Sequence, residues 1–100
     1  MSNQRILIPL RELCEELELS REACVELVEQ GIINPPGDEP ERWTFDITMV
    51  SVVRRAVRLR QDLDLDWSTV ALVVSLLEER DQLRTEIQVL QQRLDRFLEP

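Results

Sequence analysis

The stretch Ser20–Gly31, SREACVELVEQG, carries its own start, its own stop and two opposite faces. Ser20 suits an N-cap, because its hydroxyl can accept from a free N–H of the first turn. Gly31 is a natural C-terminal stop. Cys24, Leu27 and Val28 form the side to be buried. Glu22, Glu26 and Glu29 fall at i, i+4 and i+7, so they line one solvent face. A short helix that directly follows another is the layout of a helix-turn-helix pair, whose second helix enters DNA. Duplex DNA is a dense line of negative charge, bound by neutralising phosphates with Lys and Arg. Three carboxylates on the face that should meet it argue against DNA and for a basic protein partner.

Upstream, Leu10, Leu13, Cys14 and Leu17 recur at i, i+3, i+4 and i+7 and predict the first helix of the pair. Pro9 suits its first turn, where a missing N–H costs nothing. Glu12, Glu15, Glu16 and Glu18 take its outer positions.

Downstream, residues 32–47 read as a small β-wing. Asn34-Pro35-Pro36-Gly37-Asp38 is a turn built from two fixed φ angles and a permissive Gly. Trp43, Phe45 and Ile47 alternate with Thr44 and Asp46 as a short half-buried strand. A third helix is expected over about residues 48–63. Val50, Val53, Ala56, Val57 and Leu59 supply its apolar side, and Arg54, Arg55, Arg58 and Arg60 its basic positions. Asp66 can cap a fourth helix that begins near Trp67.

The fourth helix is long. Val70, Val73, Val74 and Leu77 should pack on the domain. Leu76, Leu83, Leu90 and Phe97 then repeat every seven residues, with Arg80, Ile87 and Leu94 at the other seam position. The resulting apolar stripe predicts a homodimer through this helix. The other way to cover it is to fold the helix back on its own domain. The expected organisation is mainly α: a winged helix-turn-helix domain over residues 1–75 and a C-terminal coiled-coil helix over 76–100.

Composition narrows the function. The chain has 100 residues and a formal charge of −8, and all twelve of its basic residues are Arg. Residues 1–48 hold eleven acids against four Arg, and residues 49–100 hold nine against eight, so the acidity belongs to the N-terminal half. The two cysteines, Cys14 and Cys24, form no CxxC motif and read as small buried apolar residues of a reducing cytosol, with a redox pair as the other reading. The N-terminal residues lack the apolar core and cleavage site of a secretory signal, and Val70–Leu77 is too short to span a bilayer. The expected place of action is the cytoplasm.

Chemistry is hard to find. The chain has no His for base catalysis and no Gly-rich phosphate loop, so an enzyme is not expected, nor is a cofactor. Asp62-x-Asp64-x-Asp66 invites a calcium-loop reading, but Trp67 stands where that loop needs Gly and Val73 where it needs an acid. No metal is expected. The Arg cluster of the third helix can meet nucleic acid, pair with Asp62 and Asp64 (Arg58 to Asp62 is an i, i+4 pair), or meet acids elsewhere on the domain. Trp43, Phe45 and Trp67 read as core aromatics, Trp67 alternatively as an interface anchor. The candidate partner-binding residues are Glu15, Glu18, Glu22, Glu26, Glu29, Arg54 and Arg58. The candidate dimer seam is Leu76, Leu83, Ile87, Leu90, Leu94 and Phe97.

With these residues in view, the order helix–helix–wing–helix–long helix resembles the N-terminal part of MerR-type transcription regulators. Ile8-Pro9-Leu10-Arg11-Glu12-Leu13 is similar to that family's first-helix opening. Gly31-Ile32-Ile33-Asn34-Pro35 resembles its entry to the wing, and Arg42-Trp43-Thr44-Phe45-Asp46 the wing's closing strand. The Arg-Tyr-Tyr cluster of that family's recognition helix is absent, and Glu22-Ala23-Cys24-Val25-Glu26 stands instead. A narrower resemblance fits these departures. Arg55-Ala56-Val57-Arg58-Leu59-Arg60-Gln61-Asp62-Leu63-Asp64-Leu65-Asp66-Trp67 is similar to the bacterial chaperone-modulator family (CbpM). That resemblance implies a regulator that binds and inhibits the J-domain of a DnaJ-like, nucleoid-associated co-chaperone, a domain that presents a basic helix. The alternative is a MerR-type DNA-binding transcriptional regulator.

Overall fold

The computed structural model describes residues 6–99. Strand β1 (Ile8–Pro9) leads into α1 (Leu10–Leu17) and α2 (Arg21–Glu29). A 3-10 turn (Pro40–Arg42) and strand β2 (Thr44–Phe45) follow, then α3 (Ile47–Leu63) and α4 (Trp67–Leu98). The predominantly helical, MerR-like helix-turn-helix architecture expected from the sequence is present, with a small β element and a long last helix.

The caps act as read. The Ser20 hydroxyl accepts from Ala23 N–H at 3.1 Å, and the Asp66 carboxylate accepts from Thr69 N–H at 2.8 Å. Asp46, expected in the strand, instead caps α3 by accepting from Met49 N–H at 2.9 Å. The end of α2 is a Schellman motif: Ile32 N–H donates to Leu27 carbonyl at 3.1 Å and Gly31 N–H to Val28 carbonyl at 3.0 Å, with Gly31 at φ +76°. Gly37, at φ +118°, runs so close to the chain that an added Cβ would sit 2.8 Å from the Arg42 carbonyl oxygen. A side chain there would force the turn open.

The two other helix turns share one design. Glu18 after α1 and Asp64 after α3 are left-handed, and in each case the next residue bonds back five positions. Leu19 N–H reaches Cys14 carbonyl at 3.0 Å, and Leu65 N–H reaches Arg60 carbonyl at 3.3 Å.

The β element differs in detail from the expectation. No strand forms within residues 32–39, and β2 pairs antiparallel with β1, Ile8 opposite Phe45 and Pro9 opposite Thr44. The strand ends at Phe45 because Asp46 turns to cap α3. Ile47 therefore leaves the predicted alternation and stands 79% exposed as the first residue of a helix.

The core is one cluster. Leu10 and Leu13 of α1, Cys24 and Leu27 of α2, Phe45 of β2, Val53 and Ala56 of α3, and Trp67, Val70 and Val74 of α4 are buried together. Trp43 packs edge-on to Phe45 at 6.5 Å between ring centroids. Trp67 is core rather than a surface anchor, and the Arg60 guanidinium covers its ring at 4.5 Å. Val73 and Leu77 are half-buried, and residues 78–99 of α4 and its cap are exposed throughout. The helix leaves the domain and does not fold back. This explains the elongated shape, with a radius of gyration of 17.5 Å, against about 13 Å for a compact chain of this size.

Candidate partner-binding surfaces

On α2 the buried residues Cys24 and Leu27 face inward, which turns Glu22, Glu26 and Glu29 straight outward. With Arg21, Val25 and Gln30 they border a shallow depression of about 390 Å³. Among the described residues, no Arg comes within 4.0 Å of these three carboxylates. Arg21, the nearest basic residue in sequence, is committed to Glu41 at 2.8 Å. The Glu41 carboxyl is held below its ordinary value first by its own backbone N–H and then by Arg21. The stripe is thus an uncompensated anionic surface.

The remaining predicted site residues lie apart from it. Glu15 and Glu18 are exposed on and after α1, and neither borders that depression. Glu18 serves the left-handed turn. Arg54 of α3 meets Glu16 of α1 at 3.4 Å. Arg55 meets Asp81 of α4 at 3.7 Å, where Arg80 also bonds at 3.0 Å. Asp81 is held below the ordinary carboxylate value, first by the Arg80 hydrogen bond, with further attraction from Arg80, Arg55 and Arg84. Arg58 is exposed and makes no ion pair among the described residues, so the pair with Asp62, one of the three alternatives, is not formed. Of the three readings of the Arg cluster, Arg54 and Arg55 follow the one that pairs them with acids elsewhere on the domain.

Asp66 lies in the triplet that invited a calcium reading, and its carboxylate is turned to cap α4. It receives Thr69 N–H and the Ser68 hydroxyl at 2.9 Å. These bonds, Thr69 first, lower its pKa, with Arg60 adding a smaller attraction.

Cys14 and Cys24 are both free thiols, with the Cys14 S–H directed at Cys24 Sγ at 3.0 Å across the α1–α2 contact. Cys24 is buried and Cys14 only partly so. Burial, then the neighbouring Cys14, pushes the Cys24 thiol up to about 12, so it is neutral at physiological pH.

On α4, Leu76, Leu83, Ile87, Leu90, Leu94 and Phe97 are each more than half exposed, Phe97 at 83%. They form one apolar seam along a helix that its own domain leaves uncovered.

Sequence reasoning missed Glu16, Asp81 and Ile47. Glu16 had a signal, since it lies one turn from Glu12 on α1, but its pairing with Arg54 spans 38 positions.

A helix-turn-helix pair beside a short strand pair, followed by a long helix, defines the MerR-type class, and the model of the MerR HTH family regulatory proteins matches residues 8–92. Within that class, chaperone modulatory protein CbpM of Pseudomonas putida is 45% identical over 94 residues, covering 94% of this chain and 93% of that protein. CbpM of Pseudomonas entomophila is 46% identical over 92 residues, covering 92% and 91%. CbpM of Citrobacter koseri is 43% identical over 98 residues, covering 98% and 97%. The chain belongs to this chaperone-modulator family. The names of these relatives support a chaperone-modulating role rather than an enzymatic one. Among the described residues no helix is long and apolar enough to cross a membrane.

Proposed function

We propose that this protein binds and inhibits the J-domain of a DnaJ-like, nucleoid-associated co-chaperone, and that it works in the cytoplasm as a homodimer joined along α4. The observation that carries the reading is the outer face of α2. The helix placed to read DNA presents Glu22, Glu26 and Glu29 with no compensating Arg. Such a face repels phosphates and attracts a basic helix. Occupying the basic helix of a J-domain would deny it to the Hsp70 partner. Inhibition then needs competition only, with no chemistry on either protein. The dimer is supported by the exposed seam from Leu76 to Phe97, an apolar stripe too extensive to leave in water on a single chain.

The test is a titration of isotope-labelled protein with the isolated J-domain. Chemical-shift changes at micromolar concentration are expected, together with loss of J-domain-stimulated Hsp70 ATPase activity. No shift and no inhibition would sink the reading. An electrophoretic shift of duplex DNA that disappears on reversing Arg54 and Arg58 would favour the transcriptional alternative instead.

A further inference from the structure

A second acidic surface lies on the other side of α1. It is a groove of about 330 Å³ between the strand pair, α1 and the start of α3. Its apolar lining includes Ile6, Ile8, Ile47 and Val50; Glu12 and Glu16 stand along its α1 wall and Asp46 at its end, three acids against one lining cation, Arg54. Ile6 and Ile47 are 77% and 79% exposed, although each is a large aliphatic residue beside a well-packed core.

The two acidic surfaces differ in what they offer a partner. The α2 depression is bordered by charge with Val25 as its apolar member. Charge of that kind raises association rates and rejects wrong partners, but it anchors little. Binding energy concentrates where apolar side chains are desolvated inside a polar rim. The groove beside β1 has that composition. Its acids are also available. Among the described residues Glu16 pairs with Arg54 alone, at 3.4 Å with both side chains more than half exposed, and such a pair contributes little. One oxygen of Asp46 caps α3, which fixes that carboxylate at the groove's end.

We infer that this groove is the anchoring site for one helix of a protein partner, a basic amphipathic helix. Its apolar ridge seats between Ile6 and Ile47, and its Lys or Arg residues meet Glu12, Glu16 and Asp46. This deepens the protein-partner reading above and rests on its choice of a basic helical partner. The α2 stripe then steers the partner, and the groove holds it. Lengthwise recognition of an amphipathic helix by an apolar groove is a recurrent binding mode.

The experiment maps amide shifts on the full-length protein with two probes. One is the isolated J-domain. The other is a synthetic 14-residue Leu/Lys amphipathic helix, with a Leu/Gln copy as its neutral control. The inference expects shifts centred on Ile47, Val50, Glu12 and Glu16 with the Lys peptide, and weaker ones with the Gln copy. It expects Ile47→Ser to weaken binding about tenfold or more through faster dissociation. Glu22→Gln with Glu26→Gln should instead slow association and leave dissociation unchanged. Ile47 is exposed at a helix start, so its replacement leaves the fold intact. Glu12→Gln with Glu16→Gln supplies a second, conservative variant, expected to weaken the Lys peptide alone. If the Lys peptide maps to the groove while the J-domain does not bind, the groove inference stands and the J-domain reading fails. If either probe binds only along α2, or Ile47→Ser binds unchanged, the inference is overturned. Groove shifts on dilution of the protein alone would assign the surface to a second copy and overturn it as well.

Discussion

Glu18 and Asp64 hold the same left-handed backbone at the same point of the α1–α2 and α3–α4 turns, φ 54°, ψ 44° in one and φ 52°, ψ 51° in the other. The likeness is written in the chain, as Leu17-Glu18-Leu19-Ser20 and Leu63-Asp64-Leu65-Asp66. In both, an L-residue takes the strained position, a Leu bonds back across the turn, and a polar cap starts the next helix.

The strain is open to relief. Left-handed backbone costs an L-residue about 1–2 kcal/mol, and the entropy of a Gly substitution takes back about 0.5–1 kcal/mol. Glu18→Gly should therefore stabilise the protein by about 0.5–1 kcal/mol. Asp64→Gly should gain less, because a short polar side chain tolerates this region better. Urea midpoints read the difference. Destabilisation at either position would mean that the carboxylate itself supports the turn.

The two thiols should behave differently. With its thiol near 12 and its sulfur buried, Cys24 presents almost no thiolate at pH 8. A thiol-specific disulfide reagent should titrate one cysteine, Cys14, in the native protein and two in urea. Rapid reaction of both under native conditions would show that the α1–α2 contact opens on the assay timescale.

Acid should weaken α4, at its cap and at its contact with α3. Asp66 and Asp81 are both held below the ordinary value of 3.8. Ionisation of a carboxyl with a depressed folded pKa contributes stability that is fully present above the unfolded value. That stability is lost as pH falls through the folded one. The urea midpoint should thus be flat in this respect near neutrality and fall once the pH drops below 3.8. Asp66→Asn, which keeps the cap but cannot ionise, should flatten part of the fall. An unchanged acid limb in that variant would assign the loss to other carboxylates.

Leu83→Arg with Leu90→Arg places two charges in the seam of α4 and should yield monomers by sedimentation velocity, with the core around Phe45 still folded by near-ultraviolet circular dichroism. A dimer that persists would locate self-association elsewhere.

Much of this architecture was legible because helices announce themselves through periodicity and caps. Leu10, Leu13, Cys24, Leu27, Val53, Val70 and Val74 were all readable from spacing, and Ser20 and Asp66 from cap chemistry. The strand pair was not. Two residues per strand carry no period, and the partner of Thr44–Phe45 lies ahead of α1, more than thirty positions away. Ile47 was misplaced for a related reason: the alternation Trp43, Phe45, Ile47 is genuine in the sequence, but a capping Asp outweighs it locally. Of the candidate surface, the α2 stripe was legible as a single-helix pattern. The groove beside β1 draws on four separate elements, and no window of sequence contains it.

The exposed outer length of α4 links shape to abundance. A helix that leaves its domain has only its own backbone bonds and weak pairs such as Arg80–Asp81 to hold it. Isolated helices are marginal in water, and most helical stability comes from packing. Its far turns should therefore unravel when the chain is scarce and set when chains meet. With the proposed pairing along α4, helicity would become a function of concentration. Under the α4 pairing proposed above, the rigidity of this arm would follow the number of copies present.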